Sequence, residues 1–360
     1  MKTFILLPFN IHKSHEQWVP PLLVEEWSYF NQKKNPAFQK NDAILLLAYM
    51  DDKPVGRIMG VINLRRNNRL SERVARFGYL ECYNDTAVMK SLLQSIENWA
   101  SGKGMNKIIG PMGFSDQDPE GFLVEGFQYE PTISTYYNFE YIPPLIEKCG
   151  YLKEIDYVVY RIDLTKAIPG IYNKIVDRLY SQGKFEFPEI RKKKELKSYL
   201  RPVLQVMNDT FADLYGYDPL TDDEIDAIGK KFLPVIDPKF VKIACRGNSI
   251  AGFVLGIPNL NYGFRKAKGK LFPLGLFYLF KAPGKTRQFD LLLGAVRSEF
   301  RGSGLDAYGM ISIIQAARQA GYTIMDSHHE LENNLRVRSE MERMGGELDK
   351  RFRIYQKQLI

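Results

Sequence analysis

One order of elements runs twice along this chain, and that order limits the folds open to it more than any single residue does. In the first half, apolar runs at 43–50 and 55–64 flank the turn Asp51-Asp52-Lys53-Pro54, a β-hairpin signal. A basic stretch at 65–76 leads to a strand at 77–83. A helix then starts at Asp85-Thr86, residue types suited to an N-cap, with Val88, Leu92, Leu93, Ile96 and Trp99 at helical spacing. A strand at 105–109, a helix at 136–148 closed by Gly150, and a long strand at 151–164 complete the unit. The second half offers a helix at 196–215, a hairpin at 240–245 and 249–257, and a basic loop at 265–270. A strand at 289–296, a helix at 305–320, a strand at 322–327, a helix at 335–344 and a strand at 352–358 follow. The pattern predicts a tandem duplication. The expected fold is α+β, a three-layer α/β arrangement with two domains at 1–180 and 181–360. Each would be a mixed, mostly antiparallel sheet flanked by helices.

The 360-residue length agrees with two domains that each bury a core. The formal charge of +8 favours anionic ligands. Three scattered cysteines and four histidines make neither a disulfide framework nor a zinc site, so no metal is expected and the location read from them is cytoplasmic. The apolar run at 1–8 is too short for a signal peptide, and the run at 271–280 is too short and too interrupted for a membrane span. That second run reads as core or interdomain packing, or as lining for a hydrophobic substrate or long acyl chain. The basic loops lack interleaved aromatics, so no nucleic-acid partner is expected. The basic run at 191–194 reads as a solvated helix start or linker. The glycine-rich, aromatic loop at 110–127 reads as a cleft cover or as packing between domains.

The strand at 289–296 runs through Arg301-Gly302-Ser303-Gly304 into the helix at 305–320. A glycine turn between strand and helix gathers backbone N–H groups at the positive end of the helix dipole, a seat for an anion and most often a phosphate. The first half has no such turn; Glu81-Cys82-Tyr83-Asn84-Asp85 stands there instead, and one anion site per chain is expected.

Val296-Arg297-Ser298-Glu299-Phe300-Arg301-Gly302-Ser303-Gly304-Leu305 resembles the acyl-CoA pyrophosphate loop of the GNAT (N-acetyltransferase) superfamily, and 334–346 resembles the Asn, helix and Gly that follow in it. The resemblance implies a tandem GNAT protein with acetyl-CoA or another acyl-CoA as co-substrate. It implies donor contacts at Val296, Arg301, Gly302, Ser303, Gly304, Leu305 and Asn334, and an amine acceptor, a small molecule bound in a cleft between the domains. Two residues depart from the pattern. Asp306 stands where the family has Gly or Ala, and its charge opposes a pyrophosphate unless the side chain turns outward. Met341 stands where many members carry the tyrosine that protonates the departing thiolate.

Acylating an amine needs a base, donors for the oxyanion and an acid for the thiolate. Glu330 is the first candidate base and His328 the second, both just past the strand at 322–327. Tyr355 on the last strand is a candidate acid. The leading expectation is an acyl-CoA-dependent N-acyltransferase, most simply an N-acetyltransferase. The alternatives are a catalytically silent small-molecule-binding protein and an aminoacyl-tRNA-dependent transferase.

Overall fold

A computed structural model describes residues 1–359. The first half runs α1 (Lys2–Ile11), α2 (Leu23–Tyr29), α3 (Ala37–Lys40), β1 (Asp42–Met50), β2 (Lys53–Ile62), α4 (Leu64–Leu70), β3 (Val74–Cys82), α5 (Thr86–Gly102), β4 (Lys107–Gly110), β5 (Phe122–Glu125), α6 (Ile142–Lys148) and β6 (Leu152–Asp163). The second runs α7 (Gly170–Ser181), α8 (Lys193–Phe211), α9 (Asp222–Phe232), β7 (Val241–Arg246), β8 (Ser249–Pro258), α10 (Asn261–Ala267), α11 (Gly275–Lys281), β9 (Gln288–Val296), α12 (Leu305–Gln319), β10 (Ile324–Ser327), β11 (Glu330–Leu331), α13 (Leu335–Arg343) and β12 (Glu347–Gln358).

Both hairpins form where expected, β1 on β2 and β7 on β8, because each alternates apolar residues around a turn of polar residues. The basic stretches differ from the sequence expectation. Residues 64–70 and 261–267 are short helices rather than loops; Asn63 starts the first by accepting from the Arg66 N–H. The helix expected at 136–148 is only α6, since Pro143 and Pro144 suit a first turn and not an interior. The apolar N-terminal run is α1, whose Phe4 and Ile5 are fully buried over β1–β3. The run at 191–194 is exposed at the start of α8, where the Glu195 carboxylate accepts from the Arg191 and Lys192 N–H groups.

The strands form one continuous sheet ordered β1-β2-β3-β4-β12-β6-β10-β9-β8-β7, with β5 on β12 and β11 on β6. Its middle is an exchange. The last strand of the first half, β6, pairs with β10 of the second, and the last strand of the second half, β12, pairs with β4 of the first. β6 and β12 pair with each other antiparallel between them. One core around α5 fills the first half and another around α12 fills the second, but each holds residues of an exchanged strand. The halves are therefore joined by main-chain hydrogen bonds across both exchanged strands.

Candidate active site

The end of β9 builds an anion seat. Arg297 is anchored at the strand end by donating from Nε to the Ile250 carbonyl at 2.9 Å and by pairing with Asp209. Gly302 and Gly304 take φ of +79° and +98°, where side-chain-bearing residues are strained. Gly304 is also close to Ile175 of α7; a Cβ there would lie 2.9 Å from Ile175 Cγ2. Ser303 ties the turn by donating from its hydroxyl to the Phe300 carbonyl at 2.7 Å.

What matters for binding is the start of α12. Its N-cap is Gly304, and no side chain caps it. The matching helix of the first half, α5, is capped by its own Asp85, whose carboxylate accepts from Ala87 and Val88 N–H at 2.7 and 3.1 Å. In the first half a carboxylate already occupies the helix start; in the second the same position is left to backbone donors. A groove of about 790 Å³ opens here, bounded by Gly302, Ser303, Gly304, α7, Arg246 and Arg343. Leu305 is buried beneath it, Val296 is half-buried, and Arg301 is exposed.

Asp306 also lines this groove, as do Glu299 and Glu340, and its charge is met by an ion pair. Its carboxylate lies 2.7 Å from Arg336, in the first turn of α13. That pair also sets the start of α13 beside the start of α12, and Asn334 caps α13 by accepting from the Val337 N–H at 3.5 Å. The loop residues and Asn334 are thus brought together, though the Asn334 carboxamide is used as a cap.

The second part of the site is a gap in the sheet. β9 and β10 pair in parallel only from Gln288/Ile324 to Leu291/Ser327. β9 continues along β8 to Val296, whereas the chain after Ser327 turns onto β6 as β11. Among the described residues no strand pairs with β9 on that side beyond Leu291, so its polar backbone edge is open toward a ligand. Glu330 and His328 both lie at this divergence. Glu330 is half-buried, and among the described residues its carboxyl has no hydrogen-bond or ion-pair partner; desolvation pushes its pKa up to about 8. His328 is half-buried and its pKa is lowered by loss of solvent around the ring; its Nε2 donates to the Ile133 carbonyl at 3.1 Å.

At the base of the gap, Ile133 is held twice: its carbonyl by His328 and its N–H by Asp290 at 2.8 Å. The loop that carries it, from the first half, also places the Pro131 carbonyl on Asn259 and Asn261, and Glu130 on Arg265. Next to Asp290, Asp326 is paired with Lys350 at 2.7 Å and Arg161 at 3.2 Å. Sequence reasoning missed Asp290, Asp326 and Lys350. The available signal was a carboxylate in the same place of two otherwise apolar strands.

Two expectations are corrected. Tyr355 does not reach the gap: β12 crosses to the first half, so the ring is buried in that core and its hydroxyl donates to Glu147 at 3.0 Å. The run at 271–280 is not core: Phe272 and Phe280 are 73% and 82% exposed. Met341 is packed in the second core. The loop at 110–127 packs between elements: Phe114 joins the core under α1, and its carbonyl accepts from Asn63, which also bonds Asp218 of the second half.

No family model matches the chain. Over its whole length it is 29% identical to a bacterial ceramide synthase of Caulobacter vibrioides, covering 95% of that protein. It is 27% identical to protein YghO of Escherichia coli, covering 93%. Among solved structures, a tandem GNAT protein of the clavulanic acid biosynthesis pathway aligns over 95% of this chain and 90% of its own, with a TM-score of 0.51 at 10% identity. A GCN5-related N-acetyltransferase of Sphaerobacter thermophilus gives 0.51 at 12% identity, over 94% and 84%. These likenesses, with the sheet flanked by helices described above, show the expected fold.

Proposed function

We propose, from the tandem GNAT fold that this chain carries, that it is an acyl-CoA-dependent N-acyltransferase whose acceptor is a long-chain amine. The observation that carries the reading is the uncapped, glycine-lined start of α12 beside the open edge of β9. It supports a site for the pyrophosphate of a CoA thioester, with the pantetheine arm along the edge. The thioester would supply the activated acyl group. The chain's own share is to seat the phosphates on the N–H groups of Gly302, Gly304 and the first turn of α12, offer backbone donors to the acyl oxygen, and remove a proton from the acceptor ammonium at the Glu330 carboxylate. In that step the amine nitrogen bonds to the acyl carbon, the carbon–sulfur bond breaks, and the second proton shed by the nitrogen passes to the departing sulfur, so that CoA leaves as the thiol. A ceramide is a fatty amide of a long-chain amino alcohol, so the name of the Caulobacter relative favours that acceptor class and a long acyl chain over acetyl. A cytoplasmic site of action fits the availability of acyl-CoA.

The test is calorimetric titration with acetyl-CoA and with palmitoyl-CoA, followed by thiol release on adding a long-chain amino alcohol. Ser303→Glu places a carboxylate in the seat and should abolish donor binding; unchanged affinity would move the site elsewhere. No binding of either thioester at millimolar concentration overturns the proposal. A second reading, a silent binding protein, is favoured by Met341. Donor binding with no thiol release for any acceptor would decide for it.

A further inference from the structure

The segment between Asn261 and Phe289 has a composition unlike the rest of the chain. It contains seven Lys and Arg and no Asp or Glu, whereas the whole chain's net charge is only +8. Nearly all of the excess positive charge therefore lies in this one stretch. Arg265 is paired with Glu130. Lys266, Lys268, Lys270, Lys281, Lys285 and Arg287 are exposed and have no ion-pair partner among the described residues.

The same segment presents the apolar surface noted above. α11 packs on α10 through small residues: a Cβ on Gly263 would lie 2.9 Å from Leu279 Cα and 3.1 Å from Ala282 Cβ. Gly275 is buried on that side too. The opposite side carries the large side chains outward. Leu276, Phe277 and Phe280 share one face by their spacing, and are 36%, 50% and 82% exposed. Phe272 and Leu274, in the turn before α11, add exposures of 73% and 56%. A contiguous apolar patch of this kind marks an interaction surface.

The occupant must be apolar where Phe272, Phe277 and Phe280 enter it and anionic around them. A lipid bilayer with acidic headgroups has that order of layers: acyl chains below, phosphates at the level of the lysine ammonium groups. Lysine stems can lie on the apolar side chains while their charges stay in water, as Lys281 does over the Phe277 ring at 4.3 Å. α11 has seven residues, far short of the ~20 that a span requires, so it would lie in the plane of the interface.

We propose that the α11 face, from Phe272 to Lys285, docks this protein on an anionic lipid bilayer. The inference stands apart from the acyl-transfer reading, since flotation needs no thioester and donor titration needs no vesicle. The experiment is flotation of the full chain with phosphatidylcholine vesicles, with and without about one-third phosphatidylglycerol, at low and high salt. The parent should float with the anionic vesicles, less so at high salt, and weakly with neutral ones. The double variants Phe272→Ser/Phe280→Ser and Lys281→Glu/Lys285→Glu should each reduce partitioning at least tenfold. Because these four side chains are exposed, both variants should keep the parent's thermal unfolding and donor affinity. No flotation of the parent, or equal flotation of the folded variants, overturns the proposal. So does self-association of the parent that Phe272→Ser/Phe280→Ser abolishes without any vesicle binding, since the face would then join two copies of the chain.

Discussion

Asp290 and Asp326 are direct neighbours across the parallel strands β9 and β10, and among the described residues only Asp326 is met by cations. Asp290 is held by amides instead: Ile133 N–H and Asn259 on one oxygen, Gln288 on the other. Burial first, and the Asp326 charge second, push its pKa up to about 7. One carboxylate of the pair is thus matched by Lys350 and Arg161, and the other approaches neutrality as the proton comes on.

This asymmetry gives a pH prediction. A carboxyl whose folded pKa is raised contributes stability that is fully present below its unfolded value and lost as pH rises through the folded one. For Asp290 the window runs from about 4 to about 7. Asp290→Asn removes that loss, so urea unfolding at pH 8 should find the variant gaining on the parent, relative to pH 5, by on the order of 2 kcal/mol. Parallel profiles for the two proteins would show that Asp290 is ionised throughout.

Lys350→Met has the opposite effect. It strips the ammonium from Asp326 and Asp349, both buried, and leaves them only Arg161. Breaking a buried pair by removing one partner costs about 3–5 kcal/mol. Chemical denaturation should show a loss of that order at neutral pH, and Asp326→Asn in the same background should recover part of it.

Arg336 pairs with Asp306 beside the anion seat and offsets its charge there. Arg336→Ala should free the carboxylate to act on an incoming pyrophosphate and weaken donor binding roughly three- to tenfold, about 1 kcal/mol. The double variant Arg336→Ala/Asp306→Asn should restore it. An affinity that falls equally in the double variant would mean that Arg336 contacts the donor itself.

If Glu330 is the base, Glu330→Gln should lower turnover by about 10²–10⁴ while donor affinity stays level. The parent's rate should rise with pH through about 8, as the carboxyl loses its proton, and the variant should lack that limb. A variant with the parent's rate would assign the proton to another group.

Some of this was legible in the chain and some was not, for a common reason. Asp85, Gly302, Gly304 and both hairpin turns act within a few residues of themselves, so a local reading finds them. The partner of Asp290 is Ile133, 157 positions away, and nothing near either residue announces the other. Tyr355 failed for the same cause: which strand β12 pairs with is decided by the whole sheet, not by its own alternation. The run around Phe280 has a composition that reads equally as core or surface. Only the packing of Gly263 against Leu279 determines which side of α11 is turned out.

The exchanged strands bear on how the chain can be made. The gap between β4 and β6 is filled by β12, and residues 164–346 come between β6 and that strand. A nascent first half emerging from the ribosome would hold the edges of β4, β5 and β6 that face β12 unpaired until residues 347–358 are released. Such edges invite pairing with other chains. The fold should therefore be completed only once β12 has been made, and a stop codon just before Glu347 should yield two misassembled halves instead of one sound half and one damaged one.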